Sequence, residues 1–538
     1  MSDPIDTASE RRLQEYLSRL TAVLGHADRK ARLVSYCTGL LLPGERKSVE
    51  PMAARLDPAQ VPSLHQALHH FVATAAWRDE AVLTAVREQV LPVLTRHGPI
   101  TAWIIDDTSF PKKGTHSVGV ARQYCGQLGK QENCQVAVSL SIANDGASLP
   151  IAFELYLPEG WAGDPARRAK AGVPEDLAFR TKPQIALAQI CRALADGVPP
   201  GIVLGDAGYG IDTDFRLAVS ELALVYVLGV QSSLGIWPPG CGPLPPKPWS
   251  GRGRPPRLWR RDAEHQPVTA KDLALVLPPS AWRTVSWRDG SRGELDGRFA
   301  AVRVRPSHRD YWRAEPHAEE WLLIEWPEGK KEPSKYWLST LPATTALVDL
   351  VGTAKMRWRI ERDYQELKQE LGLDHYEGRG WRGFHHHATL CIAAYGFLVR
   401  ERSLFPPQDR FRGHAPGLPA PWRPRGHPAP SRAPQPLLDR LGAPSPHDRL
   451  GPPPATLPLL SAIPQSRGIN AVSSITYDTV RLVLLCHEIH GMCRAAKQRR
   501  WRWRLGRWKS GSRPMSRAWR ARWRTPTARP HSSPTVAG

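Results

Sequence analysis

The stretch ITAWIIDDTSFPKKG, residues 100–114, starts as an apolar run and ends in charged residues. Its first six residues are apolar or β-branched, which predicts a short buried strand. Two acids, Asp106 and Asp107, follow at the predicted end of that strand. The stretch therefore predicts a buried strand that ends in a pair of carboxylates.

The segments that follow predict an α/β layout. The runs CQVAVSLSIA (134–143) and LPIAFELYLP (149–158) have strand patterns. The run KPQIALAQICRALADG (182–197) predicts a helix, and GIVLGDAGYG (201–210) predicts a fourth strand that ends at Asp206. Three strands, a helix and a fourth strand with an acid at its end form an α/β core.

Composition divides the rest of the chain. Leucines and aromatic residues recur at helical spacing near the N-terminus, and a Trp- and Gly-rich segment with strand patterns follows the fourth strand. Seventeen prolines in 406–464 predict an extended linker. The predicted division is 1–97, an N-terminal helical domain; 98–212, the first part of the core; 213–350, a β-rich insertion; 351–400, the second part of the core; and 401–538, a Pro-rich linker with a basic Arg/Trp-rich tail.

The positive charge lies mainly in the C-terminal part. The formal net charge is +22, and residues 401–538 hold 24 Lys and Arg against six Asp and Glu, which leaves +4 for residues 1–400. An anionic partner is indicated, but the basic composition alone does not establish an enzyme that acts on nucleic acid. No run of 18 apolar residues, no secretory pattern and only eight cysteines predict a cytoplasmic protein with no membrane contact.

A second candidate feature is MRWRIERDYQELK, residues 356–368. Wound as a helix, it places Arg357, Glu361 and Lys368 within about 40° of one another. One interpretation is a solvated face with an i,i+4 ion pair of about 0.3–0.5 kcal/mol. The other is that Glu361 joins the strand-end acids to hold divalent metal ions, with Mg²⁺ or Mn²⁺ favoured because the donors are hard carboxylate oxygens. Spacing alone leaves both open.

Three separated motifs resemble the DDE transposases of bacterial insertion sequences. They are DDTSFPKKGTHSVGVARQYCGQLGKQENCQVAVSLS (106–141), LGDAGYG (204–210) and RWRIERDYQELKQELGLDHYEGRGWRGFHHH (357–387). The third is similar to the branch whose glutamate helix carries a Tyr, Arg, Glu, Lys pattern. The resemblance covers about residues 30–425 and implies an RNase H-like core that cuts DNA with two divalent metal ions, Mg²⁺ or Mn²⁺. The predicted fold class is therefore α/β: an RNase H-like core with a β-rich insertion, an N-terminal helical domain and a largely disordered C-terminal tail.

The resemblance implies the catalytic residues position by position. Asp107, Asp206 and Glu361 match the two aspartates and the glutamate of the family, as catalytic residues and metal ligands. Asp106 is the fallback for the first aspartate, because adjacent strand residues point to opposite faces and only one can face the metals. Asp107 is favoured because the family's aspartate usually stands directly before a Thr, here Thr108.

The same helix pattern implies contacts with DNA. Arg357 and Lys368 match its Arg and Lys and are predicted to meet phosphate oxygens. Its Tyr falls on Ala354, a departure that weakens the match to the phosphate contact. The consecutive histidines 385–387 point in three directions on a helix, so core and surface roles are predicted rather than a metal site.

The predicted function is a DNA transposase that cleaves the ends of its own insertion sequence and joins the 3′-OH ends to target DNA. Its partners would be double-stranded DNA, as terminal inverted repeats and target, and a second copy in a homodimeric synaptic complex at the nucleoid. Residues 1–97 are the candidate for recognising the ends. Two alternatives remain: a catalytically decayed copy that only binds DNA, and a nuclease on the same core without strand transfer. The tail is either a DNA-binding arm or the translation of a shifted reading frame.

Overall fold

Helices fill the first hundred residues of the chain. The computed structural model describes residues 4–290, 293–310, 313 and 315–406. The helical pattern predicted there is confirmed, and its leucines lie in the core. The helices are α1 (Pro4–Ala22), α2 (Ala27–Leu41), α3 (Val49–Leu56), α4 (Val61–Ala73) and α5 (Asp79–Leu94).

Strands and helices alternate in the next part. Helix α8 starts with a capping box, in which Thr181 and Gln184 satisfy each other's backbone N–H groups. The elements are β1 (Ala102–Pro111), β2 (Ala121–Cys125), β3 (Lys130–Ala143), β4 (Ser148–Leu155), α6 (Glu159–Ala162), α7 (Pro165–Ala171), α8 (Lys182–Ala195), β5 (Ile202–Gly205), α9 (Ala207–Gly210), α10 (Thr213–Glu221) and β6 (Tyr226–Val230).

The remaining part is rich in strands and ends in three helices. Its strands include two long ones, which form a hairpin with a bulge. The elements are β7 (Gly235–Trp237), β8 (Val268–Thr269), α11 (Ala270–Val276), β9 (Arg283–Gly290), β10 (Gly293–Pro306), β11 (Glu320–Trp326), β12 (Lys335–Ser339), α12 (Leu347–Lys355), α13 (Trp358–Gln369) and α14 (Trp381–Leu404).

The described strands form one twelve-stranded sheet. Its order is β2-β3-β1-β5-β6-β12-β11-β10-β7-β8, with β4 paired to β3 and β9 paired to β10. Strand β1 is antiparallel to β3 and parallel to β5, which is parallel to β6. The predicted α/β fold class is confirmed by this arrangement. Strand β6 lies within the range predicted as an insertion, and β12 pairs with it and extends the same sheet. The predicted disorder of the tail lies outside the described residues.

Helix α14 connects the N-terminal helices to the sheet. The Tyr16 hydroxyl donates a hydrogen bond to the carbonyl oxygen of Ala393 at 2.8 Å, and Arg12 donates to the buried carboxylate of Glu401. Buried residues of α1–α5, α14 and the sheet belong to one hydrophobic cluster. The N-terminal helices therefore share a core with the α/β part. Among the described helices, none is both long and apolar enough to span a membrane.

The three histidines of α14 all lie in the core, whereas the sequence predicted a mixture of core and surface positions. His387 is held between the Tyr36 hydroxyl at Nδ1, 2.9 Å away, and the carbonyl oxygen of Gly372 at Nε2, 3.0 Å away. Because a carbonyl only accepts, Nε2 carries the proton and Nδ1 accepts from Tyr36. The neutral ring is therefore fully bonded, and burial lowers the pKa of His387 to about 4.

His387 should make the protein sensitive to acid. Its ordinary pKa of 6.5 applies in the unfolded chain, so the unfolded state takes up the proton first as the pH falls from about 6.5 to about 4. We expect the free energy of unfolding to drop over this window by up to about 3 kcal/mol. Urea denaturation at stepped pH should show a flatter profile for His387→Gln, whereas exposed His116→Gln should keep the slope of the unaltered protein. An unchanged slope in His387→Gln would contradict this assignment.

The close approach of β1 and β5 depends on a glycine. A Cβ atom at Gly201 would lie 2.8 Å from the carbonyl carbon of Ala102 and 2.9 Å from its nitrogen. We expect Gly201→Ala to lower the free energy of unfolding by about 1–3 kcal/mol, because backbone atoms cannot move aside cheaply. Gly352→Ala is the matched control: its Cβ would meet no atom within 4 Å in helix α12. That change should be neutral or stabilising by up to about 1 kcal/mol in the same denaturation assay.

Candidate active site

The first pair of acids lies in the middle of β1 rather than at its end. Strand β1 continues to Pro111 because the long antiparallel strand β3 pairs with it over its whole length. The parallel partner β5, however, pairs with β1 only as far as Ile104 and Leu204. Asp106 and Asp107 therefore follow the point where β1 loses its parallel neighbour. The prediction that they end the strand was wrong, although they do lie where the parallel pairing ends.

The two acids point to opposite faces of the sheet. Ile104 packs with Leu204 and with Ile360 of α13, whereas Ile105 packs in the larger cluster that includes α8. Since side chains alternate along a strand, Asp106 lies on the α13 face and Asp107 on the α8 face. The ion pairs of the two acids agree with this assignment to opposite faces. Asp106 accepts a hydrogen bond from Arg357 at the start of α13, and Asp107 accepts one from Lys182 of α8.

Asp206 lies beside Asp106. It directly follows β5, two residues beyond the paired Ile104 and Leu204, as Asp106 does in β1. Its backbone is extended and its Oδ1 accepts a hydrogen bond from the N–H of Gly208 at 2.8 Å. This bond fixes the carboxylate at the start of the short helix α9. The charge of Asp206 acts on both Asp106 and Arg357.

Arg357 connects the acids of the sheet to the glutamate of α13. It precedes α13 in right-handed helical geometry. Its Nη1 donates to Asp106 Oδ2 at 2.9 Å and its Nη2 donates to Glu361 Oε1 at 3.0 Å. The Asp106 side chain is 12% exposed and that of Glu361 is 63% exposed. The structure thus brings Asp106, Asp206 and Glu361 around one guanidinium and leaves Asp107 on the other face.

Burial dominates the electrostatics of this group. Burial raises the pKa of Asp106 to about 7; Arg357 opposes the rise, and the carboxylates of Asp206 and Asp107 add to it. Burial by itself lowers the pKa of Arg357, but Asp106, Glu361 and Asp206 together outweigh burial, so the pKa of Arg357 is raised. The guanidinium therefore stays charged, and it partly compensates three clustered carboxylates.

Lys368 and Trp358 lie at the two ends of the same helix. Lys368 Nζ donates to the carbonyl oxygen of Ser109 in β1 at 2.7 Å and lies 4.8 Å from the ring centre of Phe110. Burial lowers the pKa of this lysine. The ring of Trp358 is half-buried, with the guanidinium carbon of Arg288 from β9 3.8 Å from its centre. Lys368 thus lies beside β1 at Ser109 and Phe110.

Two further acids of α13 fix the helix itself. Asp363 is fully buried and accepts from the Ser148 hydroxyl at 2.6 Å and the Tyr395 hydroxyl at 2.8 Å. Glu366 accepts from Arg402 of α14 at 2.6 Å. The sequence analysis missed these residues because their hydroxyl and arginine partners lie far away in the chain. The only local signal is two acids on the face that also carries Ile360 and Leu367.

The acids fit a hard divalent cation by donor chemistry, since all three offer carboxylate oxygens. Within the described residues, however, no three His, Cys, Asp or Glu side chains lie close enough together to hold a metal ion. The guanidinium of Arg357 lies between Asp106 and Glu361. For these carboxylates to meet at one cation, Arg357 must release at least one of them. Glu361 is the easier to release because it is largely exposed.

The core is a mixed α/β sheet in which Asp106 and Asp206 follow the last parallel pair of β1 and β5, and helix α13 carries Glu361 on the same face. A family model described as DDE superfamily endonuclease matches residues 19–294, just over half of the chain. This chain therefore belongs to the DDE superfamily endonucleases, as the motifs predicted. The match includes Asp106 and Asp206. Endonucleases of this superfamily generally depend on divalent metal ions.

The chain is also similar to a curated protein from Microchaete diplosiphon, named "Probable transposase for insertion sequence element IS701". The two are 37% identical over 169 residues, which is 31% of this chain and 41% of the relative. The chain thus spans about two fifths of the length of the curated relative it matches.

The pair of Arg357 with Asp106 should stabilise the protein far more than its pair with Glu361. Arg357→Met leaves a largely buried carboxylate without its cation, so we expect a loss of about 3 kcal/mol in the free energy of unfolding. Glu361→Gln removes only the exposed pair and should cost less than about 1 kcal/mol. Urea denaturation in EDTA at about pH 8, where Asp106 is ionised, measures both. Equal losses would contradict the difference in burial as the cause.

Proposed function

We propose that this protein is a DNA transposase that cleaves the ends of its own insertion sequence and joins the 3′-OH ends to target DNA. The observation that carries the proposal is the position of Asp106 and Asp206 at matching places after paired strands, on the face covered by α13 and Glu361. Membership of the DDE superfamily endonucleases and the transposase name of the Microchaete relative support it.

We propose Asp106, Asp206 and Glu361 as the catalytic acids. The sequence analysis preferred Asp107, but its carboxylate is paired with Lys182 on the α8 face. The three proposed acids would hold Mg²⁺ or Mn²⁺, two ions per site, which supply an activated attacking oxygen and stabilise the leaving oxygen of the phosphodiester. The pKa of Asp106 is raised by burial even with Arg357 beside it, so a bound metal cation would further favour its charged form.

The cations of α13 would bind the DNA backbone. Arg357 presents a planar fork of donors, which suits the paired oxygens of a phosphate as well as it suits carboxylates. A phosphate that draws Arg357 away from Glu361 would release that carboxylate for the metal. Lys368, three turns further along the helix, would contact a neighbouring phosphate. Binding of DNA and assembly of the acids are thus coupled through one side chain.

The partners proposed are double-stranded DNA and a second copy of the chain. Cleavage at both ends of an element calls for two active sites held together, so we propose a homodimer in the synaptic complex. The place of action would be the cytoplasm, at the nucleoid.

The catalytic assignment is tested by cleavage of duplex DNA that carries the element's ends, in Mg²⁺. Asp106→Asn, Asp206→Asn and Glu361→Gln should each lower the cleavage rate by at least about a hundredfold, because each removes a charged ligand from the reacting centre. Asp107→Asn is the matched control, with the neighbouring residue and the same chemical change, and its loss should be much smaller. Thermal unfolding of each variant checks that it is folded.

Product analysis tests the function itself. Element ends joined to new DNA positions identify a transposase, whereas cleaved ends that are never joined identify a nuclease on the same core. Binding of the ends without cleavage by the unaltered protein would indicate a decayed copy. Abolished cleavage in Asp107→Asn together with activity in Asp106→Asn would show that the first acid was assigned wrongly.

A further inference from the structure

A basic loop leaves the sheet at the edge far from the acids. Residues 238–261, between β7 and β8, contain no Asp or Glu. Glycine and proline make up much of the rest, so the loop has few ways to fold on its own. Its six basic residues are Lys247, Arg252, Arg254, Arg257, Arg260 and Arg261.

Hydrogen bonds and an ion pair hold the base of this loop. Leu244 and Arg260 exchange two backbone hydrogen bonds of 2.9 and 3.0 Å, which close the loop. Arg261 donates to Asp310 at 2.7 Å, and the same buried carboxylate accepts from the indole N–H of Trp237 at 2.7 Å. Arg260 and Arg261, two of the six basic residues, therefore have structural roles.

The tip is different, because its charge is not balanced by ion pairs among the described residues. Residues 247–258 are exposed, and neither Arg252 nor Arg254 forms an ion pair with any acid in the part of the chain that the structure describes. The indole N–H of Trp249 donates to the carbonyl oxygen of Gly253 at 3.2 Å and folds the tip into a turn. Gly253 has φ +73° and open space around its Cβ position. The tip thus offers two arginines on either side of a glycine to an anionic partner.

We propose that Arg252 and Arg254 bind in the minor groove of A·T-rich DNA. The groove is narrow there and its negative potential is enhanced, which favours inserted arginine side chains. A backbone without a side chain at Gly253 can approach a groove only about 6 Å wide. The prolines at 255–256 restrict the chain and so lower the cost of ordering it on DNA. G·C pairs present an amino group in this groove, so they should bind less well.

Through this contact the enzyme would select A·T-rich DNA. The biological meaning of the contact rests on the proposed function. Five inter-strand steps separate β5 from β7 in the sheet order. At about 4.8 Å each they span about 24 Å, or about seven base pairs of duplex. The loop would therefore select DNA at a distance from the reacting phosphate, and it takes no part in the chemistry.

The test uses the full chain and labelled duplexes of about 20 base pairs, two helical turns, in EDTA so that no cleavage occurs. One duplex has a central A·T tract, one has G·C in its place, and one has inosine·C, which keeps the major-groove face of G·C but lacks the minor-groove amino group. Fluorescence anisotropy should show A·T and inosine·C bound at least about fivefold more tightly than G·C.

The double variant Arg252→Ala/Arg254→Ala should bind all three duplexes alike, with a salt dependence weaker by about two phosphate equivalents. Lys330→Ala/Lys331→Ala is the matched control, since it removes two exposed charges from the turn between β11 and β12 and should keep the preference. Inosine·C bound like G·C, no preference in the unaltered protein, or a preference kept by the double variant would each overturn the proposal.

The binding assay separates this proposal from the function proposed above. Glu361→Gln should keep the A·T preference although it cannot cleave. An A·T preference in a protein that never cleaves DNA would defeat the proposed function and leave the loop assignment intact. If the unaltered protein cleaves and joins DNA but the loop variant still prefers A·T tracts, the loop assignment is wrong and the proposed function stands.

Discussion

The pairing of β1 on both of its edges is the constraint on which the site depends. Strand β3 holds β1 extended from Ala102 to Pro111, while the shorter parallel partner β5 stops at Gly205. The backbone beyond the last parallel pair is open on one edge, and Asp106 and Asp206 lie there at matching positions. Gly201 permits this approach, because any side chain at that position would meet the backbone of β1. The relative position of the two acids is thus set by backbone pairing rather than by side-chain contacts.

Charge compensation is the second condition on which the site depends. Burial of Asp106 disfavours its charged form, and the neighbouring carboxylates of Asp206 and Asp107 add to the cost. A single guanidinium offsets part of this cost, and it comes from Arg357, the residue that precedes α13. The helix must therefore be held against the sheet, and Asp363 and Glu366 do so through buried bonds to β4 and α14. Acids in α13 thus have two separate roles: one face positions the helix, and the other carries the exposed Glu361.

The sequence predicted the main elements well because they depend on local patterns. The apolar runs at 134–143 and 149–155 are strands, and the capping box at Thr181 starts a helix where one was predicted. The choice between Asp106 and Asp107 could not be made locally. Alternation requires that they face opposite sides, but which side meets α13 depends on packing between Ile104 and Ile360, which are far apart in the chain. The preference for the residue before Thr108 came from a family pattern and not from this packing.

The class of the protein is visible in local sequence: three motifs in order, around a strand-rich segment, resemble those of DDE transposases, and the family match confirms the superfamily. The sequence also determined which residue types were available, since Asp106, Asp206, Arg357 and Glu361 are all visible in it. That Asp106, and not Asp107, shares a face with Asp206 and Glu361 follows only from the packing of strands and helices. The reason is physical. A residue's identity is local, whereas the face to which it points, the water it loses and the charge it meets are set by strands and helices that join from distant parts of the chain.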